Sequence, residues 1–319
     1  MAVINFLPTD GKPFDNNKIL STDDYTYTGS SQLVQEDDGW KLKFLTSGTF
    51  TPNKDLTIDT FLVGGGGSGC ENAAKVNSTT YIFSNYGVAG AGGGGGYTKT
   101  QVAISLVANT AYPIVIGAGG AATTSSSKMG NNGGASSGFN TSAAGGQCGS
   151  QIAPNGNYSH TQGGDGGSGG GGCYMRGQTG SQTAYKQGGS DGSNAIQTST
   201  GSNGASITMY GVGQKTTTRE FKESTGELYA GGGGCGWTGL GDSSTYAISD
   251  YGYGAGGEGG GGNGATKTLE AVAGTANTGG GGGGGRAEIY FSGYNSNNVN
   301  STHGAAGGSG IVIIRNHRE

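Results

Sequence analysis

Apolar residues alternate with polar ones in the first third of this chain and thin out sharply afterwards. In "GWKLKFLTSGTFTP", Trp40, Leu42 and Phe44 fall on one side and Lys41 and Lys43 on the other. That is the period-two spacing of a half-buried strand. "LTIDTFLV" closes on the run Phe61, Leu62, Val63, and "TQVAISLV" puts Val102, Ile104 and Leu106 on one face. "YPIVIGAGG" and the final "GIVIIR" are short apolar runs that suit strands covered on both faces. No convincing amphipathic helix appears; the nearest candidate, "TTREFKESTGELYA", is interrupted by Gly226. Of the 47 Ile, Leu, Val and Phe residues, 29 precede residue 117, so a conventional core belongs to the start of the chain.

Glycine takes over where strands end. Val63 runs into GGGGSG and Ile116 into GAGG. Glycine supplies 74 of the 319 residues, which with 5 prolines borders on low complexity. The net charge of −4 is too small for self-repulsion to explain disorder. In "GGDGGSGGGG" (163–172) the non-glycines Asp165 and Ser168 lie three apart, as do Ala255 and Glu258 in "GAGGEGGGG" (254–262). Three residues per turn is the period of an extended left-handed helix without internal hydrogen bonds. Such a helix carries two rows of bare backbone and one row that tolerates a side chain. Collagen is excluded by the lack of a sustained G-X-Y register and of proline. Flexible Gly/Ser linkers are the competing reading. The period, the number of tracts and the apolar strand at each end favour a folded lattice. Its lateral N–H···O=C bonds must be nearly complete, because each glycine loses about 0.5–1 kcal/mol more than alanine on ordering. The expected fold is therefore all-β and non-helical: short β-strands plus a sandwich of packed polyglycine type II helices with long Tyr/Ser/Asn-rich loops.

The segments between tracts have a different chemistry. "CENAAKVNSTTYIFSNYGVA", "CYMRGQTGSQTAY", "CGWTGLGDSSTYAISDYGYG" and "RAEIYFSGYNSNNVNSTH" are rich in Tyr, Ser, Asn and Gly. Antibody paratopes share that composition: aromatic side chains give contact area at low entropic cost and small polar ones give adaptable hydrogen bonds. The candidate receptor-binding residues are Tyr81, Phe83, Tyr86, Tyr174, Arg176, Trp237, Tyr246, Tyr251, Tyr253, Tyr290 and Tyr294. The plainer alternative is solvated turns whose tyrosines pack on glycine. Because packed helices reverse at each end, the four segments are expected to gather at one end of the molecule.

Motifs for chemistry fail. GxGxxG recurs, but in glycine tracts it carries no information and no strand–helix unit follows. His160, His303 and His317 are widely spaced, which leaves no metal-ligand pattern. Asp165, Asp191 and Asp242 read as surface carboxylates, with a cation site as the alternative. No nucleophile elbow or carboxylate pair marks an enzyme, and no cofactor, metal, nucleic-acid patch or membrane-inserting segment is expected. Cys70, Cys148, Cys173 and Cys235 read as small apolar residues, three of them beside glycine runs, with a disulfide as the alternative. "MAVINFLPTDGKPFD" has no secretory character.

The order "WKLKFLTSGTFTP…IDTFLVGGGGSG…AGAGGGGGYTKT…YPIVIGAGG…GGSGIVIIR" resembles the glycine-rich domain of bacteriophage and prophage tail proteins. The tract-and-loop plan is similar to the glycine-rich tail-fibre tip adhesins of T-even phages. The resemblance implies an adhesin that recognises a bacterial surface receptor, protein or glycan, through loops on a polyglycine scaffold. It further implies other tail-fibre proteins as partners, a homotrimer or a monomeric fibre cap, and a virion location after assembly in the host cytoplasm. On this reading residues 1–39 are an attachment or fibre-docking segment and 40–319 the glycine-rich domain. A structural or ice-binding polyglycine protein is the alternative, and a glycan depolymerase a third.

Overall fold

The computed structural model describes residues 18–71, 73–75, 86–124, 129–152, 160–174, 195–200, 206–211, 218–242, 246–250, 253–291 and 297–318. Its described elements are β-strands and two short 3-10 turns.

The apolar strands build a base. Ile311–Asn316 is the central strand of a five-stranded sheet. It pairs antiparallel with Gly39–Phe44 on one side and Leu56–Val63 on the other. Ser31–Glu36 and Thr98–Leu106 form the edges. One face buries Trp40, Leu42, Phe44, Ile58, Leu62, Val312 and Ile314 under a small sheet that contributes Phe50 and Ile114. Phe139, at a hairpin turn with φ 52, sends its ring into this core 5.8 Å from Tyr112. The opposite face, with Phe61, Val63, Ile311 and Ile313, is covered by an arm, residues 218–230, through Phe221, Tyr229 and Ala230.

Lys41 and Lys43 do point away from Trp40 and Leu42, but they meet this arm instead of water. Lys41 Nζ lies 2.6 Å from Glu220 and 3.0 Å from Glu36, and Lys43 Nζ lies 2.9 Å from Glu227. Arg315 is clamped between Asp59 (3.2 Å) and Glu223, with its guanidinium 4.0 Å above the Phe221 ring.

Two expectations are corrected here. Val102 does not share a face with Leu106: it is 63% exposed, whereas Leu106 is buried. A bulge opposite Asp59 shifts the register, with Ala103 at φ 56 and its N–H donating to the Asp59 carboxylate. Nor does a boundary fall between residues 39 and 40. Leu20 is in the core, Tyr25–Tyr27 pairs with Gly48–Pro52, and Ser31–Glu36 pairs with Gly39–Phe44. Residues 20–39 belong to the base; 1–17 lie outside the described residues.

Above the base stands a lattice of extended tracts, and its period is visible in the hydrogen bonds. Along 64–70, Gly64, Gly67 and Cys70 donate to Tyr97, Gly94 and Ala91. Gly65 and Ser68 donate to Gly134 and Asn131, and Gly66 and Gly69 to Gly308 and Ala305. Each step of three returns to the same neighbour, three residues back, as a three-residue turn requires. The carbonyls of the same tract accept from Gly120, from Gly146 and Gly149, and from Gly282 and Gly285. Tract 64–70 is thus enclosed by six others. Tracts 89–96 and 279–285 bond to surrounding tracts in the same way. Glycine is required sterically: a Cβ on Gly93 would sit 2.1 Å from the Gly67 oxygen, and one on Gly281 2.0 Å from the Gly93 oxygen.

The tract 163–172 is not one helix. Gly170 N–H donates to Gly164 O, so the chain descends, bends at 166–168 and ascends again. The stretch 254–262 also reverses, at Gly259 and Gly260, both of positive φ. The three-residue spacing of Asp165 and Ser168 therefore spans a bend. Ser168, expected on a tolerant outer row, is fully buried, and its Oγ has no hydrogen-bond partner.

Candidate functional site

Every tract joins a base end to a distal end, and this fixes where the insertions lie. Tract 64–70 leaves strand Leu56–Val63 and rises to Ala73–Lys75; Tyr86–Val88 leads into 89–96, which returns to Thr98–Leu106. Likewise 144–149 rises to Ser150–Ile152, 231–236 to Thr238–Asp242 and 279–285 to Ala287–Phe291, while Asn297–Ser301 leads into 302–309 and back to the base. All these strands therefore stand at the end opposite the base.

Pairing organises that end. Thr238–Asp242 lies between Tyr246–Asp250 and Ala287–Phe291, and Asn297–Ser301 completes a four-stranded sheet. Tyr86–Val88 rests against its two central strands. Ser150–Ile152, His160–Gln162 and Cys173–Tyr174 form a second sheet, and its last strand lies beside Ser206–Gly211. Register places Tyr246 opposite Asp242, Asp242 beside Phe291, and Phe291 opposite Asn297. Tyr290 lies one step nearer the lattice, between Gly241 and Asn298. The row Tyr246–Asp242–Phe291–Asn297 is at the far end of strands that start from the lattice. Phe291 was missed in the sequence, because its place in this row depends on pairing between segments far apart in the chain.

Of the expected site residues, Tyr86, Tyr174, Tyr246 and Tyr290 stand on distal strands. Tyr253 begins a descending tract and is 41% exposed. Trp237 is buried, at 2% exposure, and its N–H donates to Ala265 O at 2.7 Å. It packs at the top of tract 231–236 and is not on display. Tyr81, Phe83, Arg176, Tyr251 and Tyr294 lie outside the described residues.

Rigidity comes from directly beneath. Cys70, at the head of the central tract, is buried, and its Sγ accepts the Ala91 N–H at 3.1 Å. Burial pushes its thiol pKa up to about 12. Cys70, Cys148 and Cys235 are free thiols. Glu71 and His303 face each other at 3.7 Å below the hairpins. Among the described residues no group of three His, Cys, Asp or Glu side chains is arranged to hold a metal ion, and no helix is long and apolar enough to cross a membrane. A cavity of about 540 Å³ lined by Tyr112, Pro113 and 137–142 opens on the base, away from the distal strands.

A family model described as a glycine-rich domain matches residues 45–317. No curated protein matches the chain.

Proposed function

The chain belongs to the glycine-rich domain family, and from that premise we propose that it is the receptor-binding tip of a bacteriophage tail fibre, recognising a bacterial surface receptor through its distal hairpins. The observation that carries this reading is the segregation of the insertions. The described strands of the Tyr-, Ser- and Asn-rich segments lead off one end of a backbone-bonded lattice, and the apolar base stands at the other. A rigid scaffold with its insertions carried at one pole is an architecture for recognition. Tyrosine and asparagine on paired strands offer contact area with little ordering cost. The base end is left for the rest of the fibre.

The outer tracts bear Ala118, Ala121, Gln147, Glu258 and Asn263 in exposed positions. The row Ala118, Ala121 and Thr124 has alanine and threonine steps, but the neighbouring rows are interrupted by Gln147, Glu258 and Asn263, whereas an ice-binding face needs such a row repeated across it.

The test uses the purified chain, fluorescently labelled, on a panel of intact bacteria and their isolated envelopes. Binding should be restricted to a few strains and be lost in the Tyr246→Ala/Tyr290→Ala variant while the melting temperature holds. Uniform binding to all strains, no binding to any, or full binding by the variant would overturn the proposal.

A further inference from the structure

The outer faces of the lattice raise a question the inner tracts do not. An outer tract has neighbours on only part of its circumference, so some of its backbone N–H and C=O groups face outward. They are the counterpart of an exposed sheet edge, a ready template for another chain. A second copy of this protein carries the complementary tracts.

Side chains occupy this edge. The Asn132 side-chain oxygen accepts the Cys148 N–H at 2.9 Å, and that of Asn263 accepts the Gly256 N–H at 2.7 Å. The Asn131 amide donates to Ala121 O at 3.0 Å. In each case an exposed asparagine on one outer tract satisfies a backbone group of the next. The outward positions between them carry a Cβ at steps of three: Ala118, Ala121 and Thr124; Ala144 and Gln147; Ala255 and Glu258. Most inward positions of the same tracts are glycine, Thr123 being a buried exception. A Cβ on Gly119 would come 1.9 Å from Gly307 O, and one on Gly256 2.0 Å from Gly261 O. At these glycine positions the neighbouring tract comes too close for a Cβ, so a Cβ that points out keeps a further tract from making the same close approach.

We propose that these outward residues close the flanks of the lattice against a second copy of this chain, by hydrogen-bond capping through asparagine and by steric blocking through the Cβ row. Lateral association is thereby suppressed, and contacts with other molecules are confined to the two ends. Glycine marks most tract-facing positions, with Ser68, Cys70, Ala91, Thr123 and Ser168 as buried exceptions, and the exposed positions of the outer tracts carry a Cβ.

The experiment compares three forms of the full chain by light scattering over a hundredfold concentration range, with amide exchange as a second readout. The wild type should hold one mass. The set Ala118→Gly, Ala121→Gly, Asn132→Gly and Asn263→Gly should at least double in mass as concentration rises. The pair Asn132→Ala and Asn263→Ala keeps the Cβ, and should hold the wild-type mass while the Cys148 and Gly256 amides exchange faster. A folded glycine set with unchanged mass overturns the proposal. So does an alanine pair that associates as strongly as the glycine set, since the Cβ would then block nothing. If the glycine set does not fold, Asn132→Gly and Asn263→Gly are measured singly and judged by the same criterion.

Discussion

The base and the lattice solve the same problem with different parts of the residue. In the base, side chains do the packing: Phe44 meets Tyr27 at 4.7 Å and Phe50 at 5.4 Å, and Trp40, Leu42 and Ile58 are fully buried. A buried apolar side chain of this size contributes about 1.5–3 kcal/mol. In the lattice there is almost no side chain to bury. A net backbone hydrogen bond is worth about 0.5–1.5 kcal/mol, which barely exceeds the extra ordering cost of a glycine, about 0.5–1 kcal/mol relative to alanine. The lattice is therefore stable only if its bonds are nearly all made, and the six-sided surround of tract 64–70 shows how that is reached. Base mutations should be graded in effect, whereas mutations of inner tracts should be close to all-or-none.

The sharpest way to break the comparison is to add a side chain to an inner tract. Gly281→Val and Gly93→Val place a Cβ 2.0 and 2.1 Å from backbone oxygens that cannot retreat without releasing their own bonds. Each should abolish folding or cost more than about 4–5 kcal/mol, the exceptional end of single-mutant effects. Leu62→Ala in the base should cost about 2–5 kcal/mol. Gly164→Val and Gly167→Val, at 1.9 and 2.2 Å, should behave like the inner pair. Ser168→Ala removes a buried hydroxyl with no partner and should be neutral or stabilising. Chemical denaturation of the set measures all of these. Equal shifts for Gly281→Val and Ser168→Ala would mean that backbone contact does not hold the lattice.

Next in size is the join between the two regions. The arm 218–230 covers one face of the base sheet and then runs directly into tract 231–236. Arg315→Ala would leave the Asp59 carboxylate, 1% exposed, without its guanidinium partner and Phe221 without its stacked cation. Removing one member of a buried pair costs about 3–5 kcal/mol. The ion pairs around it add a pH window. The bond from Lys43 holds Glu227 below the usual carboxylate range, with Tyr229 assisting. Burial alone would raise Glu36, but Arg318 and Lys41 bring it lower. Both carboxylates therefore stabilise the fold above the ordinary value of 4.5, and that contribution fades as pH falls through their lower folded values. Burial alone would lower Lys41, but Glu220 and Glu36 raise it. Its contribution is complete below 10.5 and is lost as pH climbs through the higher folded value. Burial also raises the Cys70, Cys148, Tyr27 and Tyr229 pKa values, so thermal melts across pH should show a plateau from about 4.5 to about 9, and Lys41→Met should shrink the alkaline fall without abolishing it.

How much of this was legible in the sequence follows from the same contrast. The base strands were readable because Trp40, Leu42 and Phe44 alternate, and the buried central strand because "GIVIIR" is a continuous apolar run. The bulge at Ala103 was not, since it depends on Asp59 across the sheet. The spacing of Asp165 and Ser168 suggests the lattice period, yet the chain bends between them and Ser168 lies within the bend. The real period lies in the partners of Gly64, Gly67 and Cys70, which no single tract displays. In the sequence the arm reads only as a helix candidate interrupted by Gly226. Glu220, Glu223 and Glu227 acquire meaning only opposite Lys41, Arg315 and Lys43. At the distal end, the location of Tyr246 and Tyr290 followed from chain reversal, but the burial of Trp237 did not, because it depends on tracts that arrive later in the sequence.

A smaller effect distinguishes the thiols without disturbing stability. Cys70 and Cys235 are buried in the lattice, and burial holds the Cys70 thiol at about 12. Cys148 sits on an outer tract, half-buried, with its thiol raised by the same cause but still accessible. In a Cys173→Ser background at neutral pH, a maleimide should label Cys148 in the native protein and reach Cys70 and Cys235 only on unfolding. Rapid native labelling of Cys70 would mean that the head of the central tract opens.

The smallest stability effect is expected where the functional effect is largest. Tyr246 and Phe291 share the outermost row of the distal four-stranded sheet, and Tyr290 is one step below. The lattice bonds close beneath them: Gly285 donates to Cys70, Trp237 to Ala265, and Ala265 to Gly284. Tyr246→Ala and Tyr290→Ala should thus move the melting temperature by no more than about 1–2 °C, in line with the roughly 0.5 kcal/mol typical of surface changes. The bulkier Trp237→Ala should lower it far more, by the about 3–5 kcal/mol of a buried large-to-small change. If the proposed recognition is right, the rank order for binding to bacteria reverses: the two tyrosine variants lose it, while Trp237→Ala retains it at temperatures where it is folded. A tyrosine variant that destabilises as much as Trp237→Ala would place those rings in the packing, and the distal sheet would then be an extension of the scaffold rather than its display surface.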